Sequence, residues 1–228
     1  MNQRSPQPSL ISWQPLAGGA RRIDFPDTGE NNAICFLPWC VSFDQCRRAG
    51  LLPSGLLAAY ELPRHVVCSD PWTCADTLRT LAEDAKSVVR KSAQANEQLE
   101  IIGLSAGNFP AFMLANALGS RLVAISPGPR AEYLFWNSPY ASQICKTGES
   151  NGRRLADYAA AFATVNPISN LDNLPNGCMI MAGIFDRVVP LAETTELVEA
   201  TRKRDVRFVR FPLGHEGCLW AGAQYLRA

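Results

Sequence analysis

The 228-residue sequence predicts an α/β fold, a mostly parallel central sheet with helices on both faces. Three observations predict it. Short apolar runs of strand type alternate with longer helical stretches along most of the chain. The run Leu99, Ile101, Ile102 is apolar throughout rather than alternating, as in a strand covered on both sides. That run then passes through Gly103-Leu104-Ser105-Ala106-Gly107 into a stretch rich in Ala, Leu and Met, a strand-to-helix junction. The length suits one domain of this class.

In chain order, residues 21–25 read as an early strand and residues 33–36 as the first buried one. Residues 44–60 read as a helix, residues 66–68 as a strand and residues 77–95 as a second helix. Residues 99–104 follow the polar stretch 94–98 as a strand, and residues 109–118 as a helix. The strand 122–125 is ended by Pro127-Gly128-Pro129. From 126 to 172 the rhythm breaks. Tyr133, Phe135, Trp136 and Tyr140 crowd together, residues 145–151 read as a turn, and residues 153–163 as a helix. Strands at 178–181 and 206–211 flank a helix over 192–203 that opens after Pro190. The few residues beyond His215 form one closing helix holding Trp220 and Tyr225.

The chemistry centres on the Gly-x-Ser-x-Gly pentapeptide. Chance supplies roughly 0.05–0.1 such matches in a chain of this length. A serine on so sharp a turn takes strained backbone angles, and the flanking glycines let neighbouring segments approach without a Cβ in the way. The turn sets Ser105 at a helix N-terminus, where amides and the dipole favour developing negative charge. Only two histidines exist, so the search for a general base is short. His65 lies upstream of the motif in Leu62-Pro63-Arg64-His65. His215 follows the apolar run 206–211 on a loop flanked by Gly214 and Gly217, placed to reach a neighbouring turn. The acid candidate is Asp186, after the strand 178–181 and a small-residue turn; the alternative is an ordinary turn aspartate followed by Arg187. A buried carboxylate needs a partner, and a histidine N–H supplies one. Asp70 and Asp172 fit less well, the first as a pocket-lining group and the second as a turn residue.

The order Ser105, Asp186, His215 resembles that of the α/β-hydrolase superfamily, and the likeness runs from about Arg21 to the C-terminus. The resemblance implies an α/β-hydrolase fold with a small helical cap over 127–172, whose Tyr133, Trp136 and Tyr140, with Trp39, line the substrate pocket. The alternative for that segment is a packing layer whose rings belong to the core. The resemblance also implies an oxyanion hole. One donor is the Ala106 amide, directly after the nucleophile. Many relatives carry His-Gly after the third strand, where this chain has Leu37-Pro38-Trp39-Cys40. Pro38 has no N–H, so the second donor there is Trp39 or Cys40. Asn108, where a glycine is frequent, is a milder departure.

A serine hydrolase acting on an ester or thioester through an acyl-enzyme is the expected function, with no metal or organic cofactor. Two other readings use the same residues: a catalytically silent binding or scaffold protein, and an acyltransferase with an acceptor other than water. The expected partner is a small-molecule or carrier-bound acyl substrate. A net charge of +1 and scattered basic residues give no case for nucleic acid. Arg202-Lys203-Arg204 reads as a solvated helix end. No stretch approaches the length of a membrane span, and residues 1–8 lack the apolar core of a secretory signal and read as a mobile end. Eight cysteines occur without a Cys-x-x-Cys pair or zinc spacing. Cys35, Cys68 and Cys178 read as small buried groups in strands, and Cys40 as the thiol most open to reaction. A reduced, cytoplasmic chain is expected.

Overall fold

The computed structural model describes residues 11–26, 31–92, 99–202 and 204–227, with backbone alone at Ala17 and His65. The expected mobile end at 1–8, the polar stretch 94–98 and Lys203 lie outside the described residues. The strands are β1 (Ser12–Pro15), β2 (Arg21–Asp24), β3 (Ala33–Phe36), β4 (Leu56–Glu61), β5 (Glu100–Leu104), β6 (Arg121–Ile125), β7 (Met179–Gly183) and β8 (Arg207–Phe211). They form one sheet in the order β1-β2-β4-β3-β5-β6-β7-β8. Only β2 runs against its neighbours, and every pair from β4 to β8 is parallel.

The helices are α1 (Phe43–Arg48), α2 (Pro71–Lys91), α3 (Asn108–Leu118), α4 (Ala131–Asn137), α5 (Ser142–Ser150), α6 (Leu155–Phe162), α7 (Leu191–Ala200) and α8 (His215–Tyr225). They cover both faces, and consecutive strand residues feed different cores. Ile101 joins Phe36, Tyr60, Leu78 and Phe112 on one face. Ile102 joins Cys35, Phe43, Met181 and Cys218 on the other. The mostly parallel, doubly covered sheet expected from the alternation is therefore present.

Local chemistry sets the helix starts. Ser42 caps α1 in a reciprocal box with Gln45. Asp70 accepts from the Thr73 amide and hydroxyl at the start of α2, with Pro71 in the first turn. Asp70 also pairs with Arg153 at 3.1 Å, so it caps a helix and does not line the pocket.

Four elements differ from the sequence reading. The expected helix over 44–60 is the short α1 followed by β4. Leu56-Leu57-Ala58-Ala59-Tyr60 has helical propensity, but Gly50 and Gly55 take left-handed φ of 67° and 66° and break the helix. The apolar run then gains more by filling a slot between β2 and β3, where every residue is buried. Residues 66–68 are not a strand, because β4 already holds that place. Arg64–Val66 is a 3-10 turn after Pro63, and Cys68 sits half-buried in the loop before α2. Residues 145–151 are not a turn but the end of α5. Its hydroxyls bond back to carbonyls four residues earlier, Thr147 to Gln143 and Ser150 to Lys146. Finally β1, an exposed strand paired only with β2, carries no apolar pattern. The reading of Arg204 as solvated is also corrected, since it donates to the Asp172 and Leu174 carbonyls.

Candidate active site

Ser105 follows β5 directly and has φ of +52°, the left-handed region that a non-glycine residue adopts only under constraint. The two motif glycines make that turn possible, each for a different neighbour. A Cβ on Gly103 would lie 2.8 Å from Asn108 Cα and 2.9 Å from Ala111 Cβ, so the bare backbone lets α3 pack onto β5. A Cβ on Gly107 would collide with the Phe36 carbonyl and lie 2.8 Å from the Leu37 oxygen at the end of β3. The serine is thus raised on a turn clamped from both sides.

The structure brings the three residues named from the sequence together. Ser105 Oγ lies 2.8 Å from His215 Nε2. His215 Nδ1 lies 2.8 Å from Asp186 Oδ2. The other carboxylate oxygen, Oδ1, accepts from the Val188 and Val189 amides, both at 2.8 Å. His215 is the first residue of α8, not a loop residue, with Gly214 as its N-cap. The segments that lead to Asp186 and His215 are stitched together, Ile184 donating to the Phe211 carbonyl and Phe185 to that of Leu213. Asp186 and His215 are only 6% and 8% exposed. Burial pushes the Asp186 carboxyl up, but the His215 ring and the two amides outweigh it and hold it below its ordinary value. His65 lies on the Arg64–Val66 turn, and its side chain is outside the described residues.

The amides expected to face an oxyanion lie on turns beside the serine. Ala106 is in the Ser105–Gly107 3-10 turn, where the first amides have no partner within the helix. Across from it, the Leu37 amide is spent on the Tyr60 carbonyl and the Val41 amide on that of Pro38. Pro38 has none, which leaves Trp39 and Cys40 in that turn. The Trp39 ring is anchored by Nε1 donating to the Arg64 carbonyl at 2.8 Å. Cys40 is exposed, with φ of +62°. Partial burial pushes its thiol up and Arg64 draws it back only in part, so Cys40 lacks the depressed value of an activated thiol.

A cleft of about 480 Å³ opens over the serine. Trp39, Phe109, Leu134, Phe135, Val188, Val189 and Leu219 give it apolar walls, and Ser138, Tyr140 and Glu216 lie along it. Of the expected pocket residues, Trp39 and Tyr140 line it. Tyr133 and Trp136 do not. Tyr133 points outward, 44% exposed, and Trp136 packs edge-on against Tyr158 at 5.4 Å. The reason is helical phase: the buried residues of α4 are Ala131, Glu132, Leu134 and Phe135, and of these Leu134 and Phe135 reach the cleft. Phe135 in turn meets Phe109 and Phe162 edge to face. Phe109, Leu134, Phe135, Val188, Val189 and Leu219 were missed. For α4 and for Leu219, one turn after His215, helical spacing was the available signal.

A wider hollow of about 1110 Å³ lies at the opposite end of the sheet, beside Ala33, Glu100 and Arg121 where their strands begin. Ligands of open α/β sheets bind at the carboxyl ends, where Ser105 is. Among the described residues, no three His, Cys, Asp or Glu side chains gather as metal ligands.

Comparison with known proteins agrees with this geometry. Residues 76–214 match the profile of the prolyl oligopeptidase family, a span that includes Ser105 and Asp186 and stops just before His215. No curated protein matches the chain. The acylaminoacyl peptidase of Pyrococcus horikoshii superposes with a TM-score of 0.63 at 10% identity, over 97% of this chain and 40% of that one. The chain therefore spans well under half of that peptidase. A Pyrococcus furiosus esterase superposes at 0.61 with 14% identity, over 100% of this chain and 95% of the esterase. A 2,6-dihydroxy-pseudo-oxynicotine hydrolase gives 0.64 and 14%, over 96% and 67%. At such identities the structural likeness is one of fold. The matched profile covers more than half of the sequence, and with this sheet order it shows that the chain belongs to the prolyl oligopeptidase family, within the α/β-hydrolase superfamily of serine hydrolases.

Proposed function

We propose that this protein hydrolyses esters or thioesters of apolar acyl groups through an acyl-enzyme on Ser105. The observation that carries the reading is the continuous relay Ser105–His215–Asp186, with both contacts at 2.8 Å, on a strained turn beneath an apolar cleft. Ser105 Oγ attacks the acyl carbonyl while His215 Nε2 takes its proton. The Asp186 carboxylate holds the proton on Nδ1, so that Nε2 is free to accept, and stabilises the ring once charged. The tetrahedral oxyanion is met by the Ala106 amide and by that of Trp39 or Cys40. His215 then delivers its proton to the leaving group, and water repeats the sequence to release the acid. The aromatic and aliphatic walls suit an apolar acyl or alcohol group. The segment 127–172, as a cap, supplies Leu134, Phe135 and Tyr140 to that wall. A cytoplasmic setting belongs to the same reading, and no helix among the described residues is long and apolar enough to cross a membrane.

Peptide cleavage by the same relay is the second reading, favoured by family membership. The test begins with a fluorophosphonate probe on the wild type and on Ser105→Ala, followed by acyl esters and thioesters of graded chain length and chromogenic peptides. Labelling lost in Ser105→Ala, with esters turned over faster than peptides, is the expected result. A wild type that is not labelled points to a silent binding protein. Peptides preferred over every ester, or product formed only with an added acyl acceptor, overturns the substrate assignment.

A further inference from the structure

Asn108 stands directly after the Gly-x-Ser-x-Gly motif and takes no part in the relay. It opens α3 and is 1% exposed. Its Nδ2 donates to two backbone carbonyls, that of Ser105 at 2.8 Å and that of Ile125 at 2.9 Å. Its Oδ1 is buried with no partner. The two acceptors fix which way the amide faces, since the opposite rotamer would set its oxygen against both carbonyls.

The residues it joins are the ends of adjacent strands. Leu104 of β5 is paired with Ile125 of β6 as the last step of their parallel ladder. Immediately beyond, Ser105 and Ser126 both turn into the left-handed region, with φ of +52° and +51°. Two strained turns side by side are stable only if their surroundings over-determine them. One carboxamide ties the carbonyl of the first turn to the strand end that precedes the second. The missing Cβ of Gly103 makes room for it, because that atom would lie 2.5 Å from Asn108 Oδ1.

The geometry points to Asn108 as a positioning residue for Ser105. By holding the serine's own carbonyl it holds the backbone angles of the turn, and through them the direction of Oγ toward His215 Nε2. The inference rests on the reading of Ser105 as nucleophile. The side-chain chemistry is specific. Alanine leaves two buried carbonyls bare, aspartate is isosteric but sets a carboxylate against them, and serine keeps a single short donor.

The experiment compares the full chain with Asn108→Ala, Asn108→Asp and, as a stability control, Leu78→Ala, a buried α2 residue that does not line the cleft. The readouts are the fluorophosphonate labelling rate, kcat and KM on a chromogenic ester, and the urea midpoint. In Asn108→Ala, labelling and kcat should fall about 10²-fold with KM within about 3-fold, as expected for a misdirected reacting group. Asn108→Asp should lose as much at neutral pH and recover relative to wild type in acid, where a protonated carboxyl donates one bond. Leu78→Ala should lose stability and keep its labelling rate. Should Asn108→Ala not fold, Asn108→Ser carries the same comparison. A folded Asn108 variant labelled within about 3-fold of wild type overturns the inference. So does an activity loss that Leu78→Ala reproduces at a similar loss of stability. A wild type not labelled at Ser105 removes the nucleophile reading and this inference together. A labelled wild type with unaffected Asn108 variants removes this inference alone.

Discussion

Replacing Asp186 with asparagine tests the relay through one proton. In the wild type, Oδ1 accepts from the Val188 and Val189 amides and Oδ2 faces His215 Nδ1, all at 2.8 Å. An asparagine must place its carbonyl oxygen toward the two amides, because the other rotamer sets an NH₂ against two N–H donors. The NH₂ then faces His215 Nδ1 and can only donate. The ring is forced to carry its proton on Nε2, the atom 2.8 Å from Ser105 Oγ, where it can no longer accept. A base locked in the wrong tautomer elsewhere costs about 10⁴ in kcat, or about 5.5 kcal/mol of barrier. The substitution is isosteric, so the cleft and KM should change little. The assay is kcat and KM on a chromogenic ester, with thermal unfolding as a control, since each kcal/mol moves the midpoint of a chain this size by about 2–4 °C. A folded Asp186→Asn enzyme within about tenfold of wild-type kcat would refute the relay as described.

Three further predictions follow from the same geometry. Gly107→Ala drives a Cβ into the rigid carbonyls of Phe36 and Leu37, so stability should drop by about 1–3 kcal/mol and probe labelling should fall with it; labelling at the wild-type rate would show that the turn has slack. Tyr140→Ala should alter acyl chain-length preference with little change in unfolding midpoint, whereas Trp136→Ala, which removes the contact with Tyr158, should lower the midpoint and leave the preference alone. The reverse pattern would relocate the pocket. Asp186, held low in the folded state, stabilises the protein fully above its unfolded value of about 4, and that contribution is lost as pH falls through the lower folded value. The urea-midpoint difference between wild type and Asp186→Asn should therefore shrink only in strong acid, and a difference that is flat with pH would remove the electrostatic account.

Much of this site is legible in the chain because its parts are local. Gly103, Ser105 and Gly107 are spaced for one turn, and the scarcity of histidines leaves a single base downstream of them. Asp186 can be picked out because a carboxylate after a buried strand needs a partner. The pocket was harder to read. Aromatic character points to Tyr133 and Trp136, yet helical phase turns them away and brings Leu134 and Phe135 inward.

Short-range pattern by itself determined the alternation of strands and helices that marks an α/β chain and the strand-turn-helix that carries Ser105. Each depends on neighbours within a few positions, where apolar periodicity and glycine spacing act directly. Only the tertiary structure decided that residues 56–61 are a strand, because the slot between β2 and β3 outweighs helical propensity. It likewise decided that Asn108 spans two strand ends, and that the Leu37 and Val41 amides are spent while Trp39 and Cys40 remain. Those outcomes depend on which buried polar group finds which partner across the sheet, and hydrogen-bond satisfaction between segments far apart in sequence leaves no local pattern to read.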